Sequence, residues 1–555
     1  LIFERNKGET MTDNWRIFLA LGLTLLVLVG WNFLFPTQQP PQQDSQVEQT
    51  TTQQAEKDPS QDVGQQEETQ PLKPEETDRP DDSPAYAASD SKSLKVETPL
   101  YTAVLSSQGG ILEHFYLKKH KETIAPDSPP IDLVSKQALA KAPMGILWNR
   151  SPAWQEAKWS VQGQDAQLTG SESAELKFRG ELSGIVFERT LIFQAGSYDI
   201  EEELEIHNTS ENMISGVLSL TMASSGLVEK ESRYNKTSAA YYAGQSLHKE
   251  DDTDDLKLGI ESDVPVNWAG VDSNYFLMAV VPTSQDLFYK GKFEDSVYRV
   301  ALEQNTSIQP GQSEEVTASY YLGPKEREYL AQVENNLIGA LHYGWLNIIA
   351  RPLVQVLKFF YSYVGNYGLA IILLTFVIKI IFWPLSHKSY KSMEKMKKIQ
   401  PMMKQLKEKY KDDRQKMNQE LMQLYKTYKV NPAGGCLPML LQIPVFIGLY
   451  EALMGAVELR HAPFITHVPF TDIFWLADLS AKDPFYITPV VMGLSMFLQQ
   501  KLSPTAGDPT QAKIMMIMPI FLTFIFLNFP SGLVVYFFTN NMLSIFQQWR
   551  LMRKA

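Results

Sequence analysis

The residue most in need of a chemical explanation is Lys379, the single charged side chain in the run "YGLAIILLTFVIKIIFWPLS" at 367–386. An ionisable group inside a membrane-length apolar segment is costly, and it persists where it snorkels to the head groups, pairs with an opposite charge or faces a wet cavity. Lys379 lies about six residues, roughly 9 Å of helical rise, from the polar end of its segment, so snorkelling is one structural reading. Pairing with Glu451 is a second, but Glu451 falls about 10 Å away in depth at helical rise. The third is a cation in a hydrophilic cavity. Thr375 stands one helical turn earlier, and Gln442, Thr523, Asn528 and Asn541 punctuate neighbouring apolar segments, as the lining of a wet helical bundle would.

Other chemistries lack their residues. The only cysteine is Cys436, which excludes an intrachain disulfide and a thiolate zinc site. The eight histidines are scattered without metal-ligand spacing, and GxxxxGK[ST], GxGxxG and HExxH are absent. "DDTDD" at 251–255 misplaces the glycine and closing glutamate of a calcium loop. No enzyme, metal or cofactor is expected. The net charge of −12, with no separate basic domain, and the lack of a nucleic-acid motif argue against nucleic-acid binding.

The elements that must position Lys379 follow from where apolar residues concentrate. Residues 15–36 read as a transmembrane anchor, and 37–92, rich in Pro, Gln and acidic residues, as a disordered linker. From 93 to 325, short alternating segments such as "IVFERTLIF" and "YDIEEELEIHN" predict an antiparallel β-sandwich, with Trp148, Trp154, Trp159 and Trp268 in its core. Over 326–351, Leu330, Val333, Leu337, Leu341, Trp345 and Ile348 recur at three or four residues and predict an amphipathic helix on the membrane surface. The segment 352–549 then holds five spans, at about 361–385, 437–457, 485–501, 514–528 and 533–549, before a basic tail at 550–555.

The loop at 386–430 carries thirteen Lys/Arg against five Asp/Glu, which places it, both termini and the tail in the cytoplasm and the β-domain outside. Met393, Met396, Met403 and Leu406 step along one face, and Met417 and Leu421 along another, with "KDDR" between them. They predict a helical hairpin, either packed on itself or presenting a flexible methionine surface to apolar segments.

Three stretches carry a close resemblance: "NPAGGCLPMLLQIPVFIGLYEALMGAVELRHAPF" (431–464), "DPFYITPVVMGLSMFLQQKLSP" (483–504) and "FPSGLVVYFFTNN" (529–541). With "YLGPKE" in the β-domain, they resemble the YidC/Oxa/Alb membrane protein insertases, of the Gram-negative YidC type. The resemblance implies a multi-domain membrane protein of six transmembrane α-helices, a large periplasmic antiparallel β-supersandwich like the sugar mutarotases, and a cytoplasmic helical hairpin, in the bacterial inner membrane. It implies insertion and folding of nascent inner-membrane proteins, alone or with the Sec translocon, with ribosome and anionic-lipid contacts. The family's groove cation falls on Lys379, where arginine is usual, and Thr375 and Phe537 match substrate-contact positions, Phe537 standing where tyrosine is common. Two other classes are weighed against it. An ion- or solute-coupled transporter switched by Lys379 would need an inverted repeat, and a carbohydrate-binding protein or mutarotase would need β-domain carboxylates; neither feature is found.

Overall fold

A computed structural model describes residues 91–227, 236–283, 286–344, 346–431, 437–468, 470–471, 473–502 and 509–553. The expected anchor at 15–36, the linker up to residue 90, Trp345 and the last two residues of the basic tail lie outside the described residues.

Alternation in sequence becomes alternation of burial in strands such as Ser173–Leu182 and Asp199–Asn208, whereas Trp268–Asp272 and Phe276–Pro282 are buried at every position. Three sheets form, of five, nine and six strands, almost wholly antiparallel; the exception is Ser93–Glu97, which pairs in parallel with Ala166–Gln167. At the centre of the nine-stranded sheet, Ser313–Pro324, Asp199–Asn208, Ile185–Gln194 and Ser173–Leu182 lie side by side in that order. The inward residues of the three sheets merge into one apolar core, with Trp268, Tyr101, Phe187 and Phe193 fully buried.

Period two also carries two charges inward. Arg189 and Glu202 point into this core with no side-chain exposure, and Arg189 Nε lies 2.5 Å from Glu202 Oε1. The contact is electrostatic, since it lacks hydrogen-bond alignment. Arg189 Nη1 donates instead to the carbonyls of Gly109 (2.7 Å) and Gly110 (3.2 Å).

The stretch 326–351 corrects the expectation of one surface helix. It is helical only at Arg327–Leu330 and Leu337–Ala340, and a longer helix starts at Asn347. Asn335 and Asn336 take left-handed φ of 54° and 61°, and Gly344 takes 64°, each of which breaks a right-handed helix. Leu330, Leu337 and Leu341 are buried in the β-domain core, whereas Ile348 is exposed. The stripe was real, but its partner is the β-domain.

The C-terminal part is helical: α1 Asn347–Val364, α2 Tyr367–Lys409, α3 Arg414–Thr427, α4 Leu437–Gly455, α5 Ile487–Leu502, α6 Pro509–Phe526 and α7 Ser531–Met552. The expected span at 361–385 straddles a boundary. Gly365, at φ 62°, ends α1, and the Asn366 side chain accepts from Leu369 N to start α2. From there α2 runs 43 residues without interruption through Pro384 and Pro401, so one helix belongs to the bundle and forms the first arm of the hairpin. Among the described residues, α2 is the one helix whose length and composition suffice for a membrane span. Helices α1, α2, α4, α5, α6 and α7 share a second apolar core, from Leu357 and Ile371 to Leu453, Met492, Phe526 and Val534.

The buried Arg189–Glu202 pair generates the first prediction. Arg189→Met or Glu202→Leu alone strands a charge and should cost about 3–5 kcal/mol. The double variant should regain most of that loss. Calorimetry of the full chain in detergent should show the double variant melting above both single ones.

Candidate functional site

Lys379 lies on the face of α2 that packs against α7, where it is 8% exposed. Its Nζ donates to Ser544 Oγ at 2.6 Å and to Asn540 Oδ1 at 3.4 Å. Both acceptors are neutral. Among the described residues no carboxylate pairs with it, and Glu451 instead accepts from the backbone N–H of Leu346 (3.3 Å). With a buried head group, the lysine does not snorkel in this structure.

The acceptors come from a spacing the sequence displays. Tyr536, Asn540 and Ser544 recur every four residues on α7 and make a polar row along one face of the helix. Opposite them on α2 stand Thr375, Lys379 and Ser386, all buried. Ser544 and Tyr536 were not among the expected site residues, and the four-residue repeat that joins them to Asn540 is the signal that could have found them.

Gln442 joins from α4, donating Nε2 to the Tyr536 hydroxyl at 3.1 Å. Ile378, Lys379, Phe382, Leu385, Ser386, Leu441, Gln442 and Asn540 line a cavity of about 20 Å³, a volume that admits about one water. In this conformation the site is a polar seam between helices. A polypeptide would have to part α2, α4 and α7 to enter it.

The remaining expected residues divide. Thr375 turns its hydroxyl back on its own helix, donating to Ile371 O at 2.6 Å. Phe537 points away from Lys379 into an aromatic group with Phe446 and Phe526, at centroid distances of 5.0 and 4.8 Å. Asn541 faces α5 and donates to Ser495 Oγ at 3.2 Å. Thr523 abuts Gly493, where an added Cβ would meet the threonine hydroxyl at 2.0 Å, so α5 and α6 touch through a glycine. Asn528 is exposed at the turn between α6 and α7. Thus Lys379 and Gln442 share one cavity, Thr375 lies one turn along the same seam, and Thr523, Asn528, Phe537 and Asn541 occupy other surfaces.

The far end of the bundle is tied by a loop. Asp483, 1% exposed, accepts from Trp475 Nε1, Phe485 N and both the N–H and hydroxyl of Thr488, at 2.7–3.0 Å, and so anchors the start of α5. Ser531 N and Gly532 N, at the start of α7, donate to Ala481 O and Leu479 O. Asn366 Nδ2 donates to Phe464 O, and Gly368 leaves room for the Phe464 ring, which a Cβ would meet at 2.1 Å.

On the hairpin, Met396, Ile399, Met403 and Val430 are buried against Leu421, Leu424 and Tyr425. Met393, Leu406 and Met417 are half-buried, and Met402 and Met422 are exposed. The hairpin is packed on itself here, with part of its methionine surface free.

The chain matches two family models: "YidC periplasmic domain" over residues 93–356 and "60Kd inner membrane protein" over 359–555. It is 52% identical to a "Membrane protein insertase YidC" of Maridesulfovibrio salexigens, over 98% of this chain and 99% of that protein. A protein of the same name from Oleidesulfovibrio alaskensis is 51% identical over 98% of this chain and 100% of its own length. A solved structure of an active YidC insertase aligns with 82% of this chain and 92% of its own, at 20% identity and a TM-score of 0.37.

The seam yields a second prediction. Replacing Asn540 with Leu and Ser544 with Ala removes both acceptors from a buried ammonium and should cost about 2–4 kcal/mol. Adding Lys379→Met should return most of it. Equal losses with and without the lysine, in thermal unfolding, would mean that the acceptors serve helix packing alone.

Proposed function

Since the chain belongs to the YidC family of membrane protein insertases and is an insertase of the inner membrane, we propose that the Lys379 seam is where it receives the polar part of a nascent membrane protein. The observation that carries this is a buried ammonium held by neutral acceptors only. Removing a cation from water costs several kcal/mol, and a hydroxyl and an amide oxygen offset only part of that. A carboxylate from an entering chain offsets more. The resting seam therefore favours an acidic segment over an apolar one, and Ser544 and Asn540 hold the charge until such a segment arrives.

Six spans follow as part of this proposal: the anchor at 15–36 and α2, α4, α5, α6 and α7, with both termini and the hairpin in the cytoplasm and the β-domain in the periplasm. The positive-inside charge of 386–430 supports this orientation. Helix lengths support a thinned bilayer. Residues 487–502 and 509–526 rise about 24 and 27 Å against a hydrocarbon core of ~30 Å, so bilayer around α5 and α6 is compressed. A substrate tail attracted to Lys379 would have less apolar thickness left to cross. The substrate's own apolar helix then partitions into lipid, gaining a few tenths of a kcal/mol for each strongly apolar residue. No bond is made or broken, so no catalytic residue or cofactor is required.

The hairpin, continuous with α2, is the natural mechanical link between a cytoplasmic event and the seam. Ribosome, Sec translocon and anionic lipid are the contacts proposed for its basic surface. The transporter alternative has no support in the relatives, which are named as insertases.

Two predictions follow from this reading. In reconstituted insertion, Lys379→Arg should be active, while Lys379→Ala and Lys379→Glu should fail, most severely for a substrate with an acidic translocated tail. If Lys379→Leu handled acidic and neutral tails equally well, the charge mechanism would be rejected while the insertase assignment stood. Serine at Met393, Met396, Met403 and Leu406 should impair insertion more than neutralising four outward lysines of the hairpin; the opposite ranking would assign the hairpin to electrostatic docking.

A further inference from the structure

Insertion makes no use of a set of side chains on the outer face of the nine-stranded sheet. Glu205 and His207 lie two apart on Asp199–Asn208, and Glu188 on Ile185–Gln194 stands directly opposite Glu205 in the antiparallel register. Two adjacent strands thus deliver three metal-binding side chains to one patch. His207 Nε2 is 3.5 Å from Glu205 Oε2 and 3.8 Å from Glu188 Oε2, and the three ligand atoms fall within 4.8 Å of one another. That nitrogen is shielded from solvent and makes no hydrogen bond, although it points between two carboxylates. Arg179 donates to the other oxygen of Glu188, which fixes Oε2 toward the imidazole.

We propose that Glu188, Glu205 and His207 bind a divalent transition-metal ion of the zinc type and pin the two strands together from outside the core. Two ligands about 2.1 Å from one ion at a tetrahedral angle are themselves about 3.4 Å apart. The two histidine–glutamate separations need to contract by a few tenths of an ångström, and the glutamate pair by at most about 1.4 Å, which glutamate rotamers can supply. Imidazole with two carboxylates suits zinc better than calcium or magnesium, which take six or more oxygens. The fourth position belongs to water or to Glu315, which is opposite Glu205 on the neighbouring strand Ser313–Pro324. The sequence hides this set, because Glu188 and Glu205 are 17 positions apart and only the hairpin register joins them. The competing account is an imidazolium paired with two carboxylates, which needs no metal.

The test uses the full chain in detergent, stripped with a chelator and titrated with Zn²⁺ against a chromogenic chelator. One site with Kd on the order of micromolar is expected. Its Kd should rise about tenfold or more in His207→Ala and again, independently, in Glu188→Gln, while His114→Ala leaves it unchanged. Affinity should fall as pH is lowered, because protons compete for the same three ligands. Co²⁺ should give a tetrahedral absorption spectrum that the His207→Ala protein lacks. Melting temperatures of the metal-free variants report whether each is folded, and Glu188→Gln, which keeps side-chain shape, stands in if His207→Ala is not. Absence of any site tighter than about 100 µM, or a site undiminished by both substitutions, would overturn the proposal and leave the ion-pair account.

Discussion

A single ammonium, buried where α2 meets α7, sets the terms for the helical part of this protein. It must be satisfied without a carboxylate, so α7 presents a hydroxyl and an amide oxygen to it, and α2 and α7 must stay in register to keep those atoms within reach. A pair of apolar helices would have no such constraint. The Gln442–Tyr536 bond extends the same polar row to α4, and it fixes which faces of three helices look at one another. An apolar bundle in lipid gains little from hydrophobic burial, so these few polar contacts supply much of its specificity.

Register at the lysine is secured about three helical turns away. The loop that folds over the starts of α2, α5 and α7 makes backbone bonds to Gly532 and Ser531, a side-chain bond from Asn366, and four donor contacts to Asp483. The three starts are thereby held at fixed offsets. Toward the opposite end α7 is tied back to α2 by Gln547 Nε2, which donates to Trp383 O at 3.5 Å, before α2 leaves the bundle and runs on into the hairpin. Ser386 and Leu385 line the cavity on this side of Lys379.

Much of this was legible in sequence, and the misses have physical causes. Period-two alternation gave the β-domain, and the paired Met/Leu stripes gave a helical hairpin without deciding whether its seam packs on itself, because both signals are local. Lys379 was identifiable as a buried charge because nothing else charged lies within its segment. Its acceptor Ser544 was harder to see, since it looks ordinary until the four-residue spacing is read against a partner helix. Residues Thr523, Phe537 and Asn541 were grouped with Lys379 on polarity or resemblance, but helix rotation sends them to different neighbours. The span expected at 361–385 begins too early because Gly365 and Asn366, which end α1 and start α2, fall inside it. Sheet order could not be read at all, because strands far apart in sequence, such as Asp199–Asn208 and Ser313–Pro324, lie side by side.

The stripe at 330–348 carries the broadest consequence. Its spacing was compatible with a helix lying on lipid, but two asparagines and a glycine in left-handed conformations cut it into short pieces whose leucines enter the β-domain core. That core continues without a gap to Ala350 and Val354 on α1, then to Ala452 on α4 and Val457 beyond it. Polar contacts reinforce the joint: Asn274 donates to Met454 O, and Arg460 to the carbonyls of Lys121 and Glu122. Beside it, burial pushes the His120 imidazole down to about 4 and, despite the attraction of Asp272, the Lys325 ammonium down to about 8. Such dry surroundings belong to a packed joint and not to a flexible tether. The β-domain is therefore built into the bundle through shared core, and a deletion that ends inside that core exposes Leu330, Leu337 and Leu341 to water. The 326–346 segment belongs physically to both halves, and any division of the chain between them has to cross buried surface.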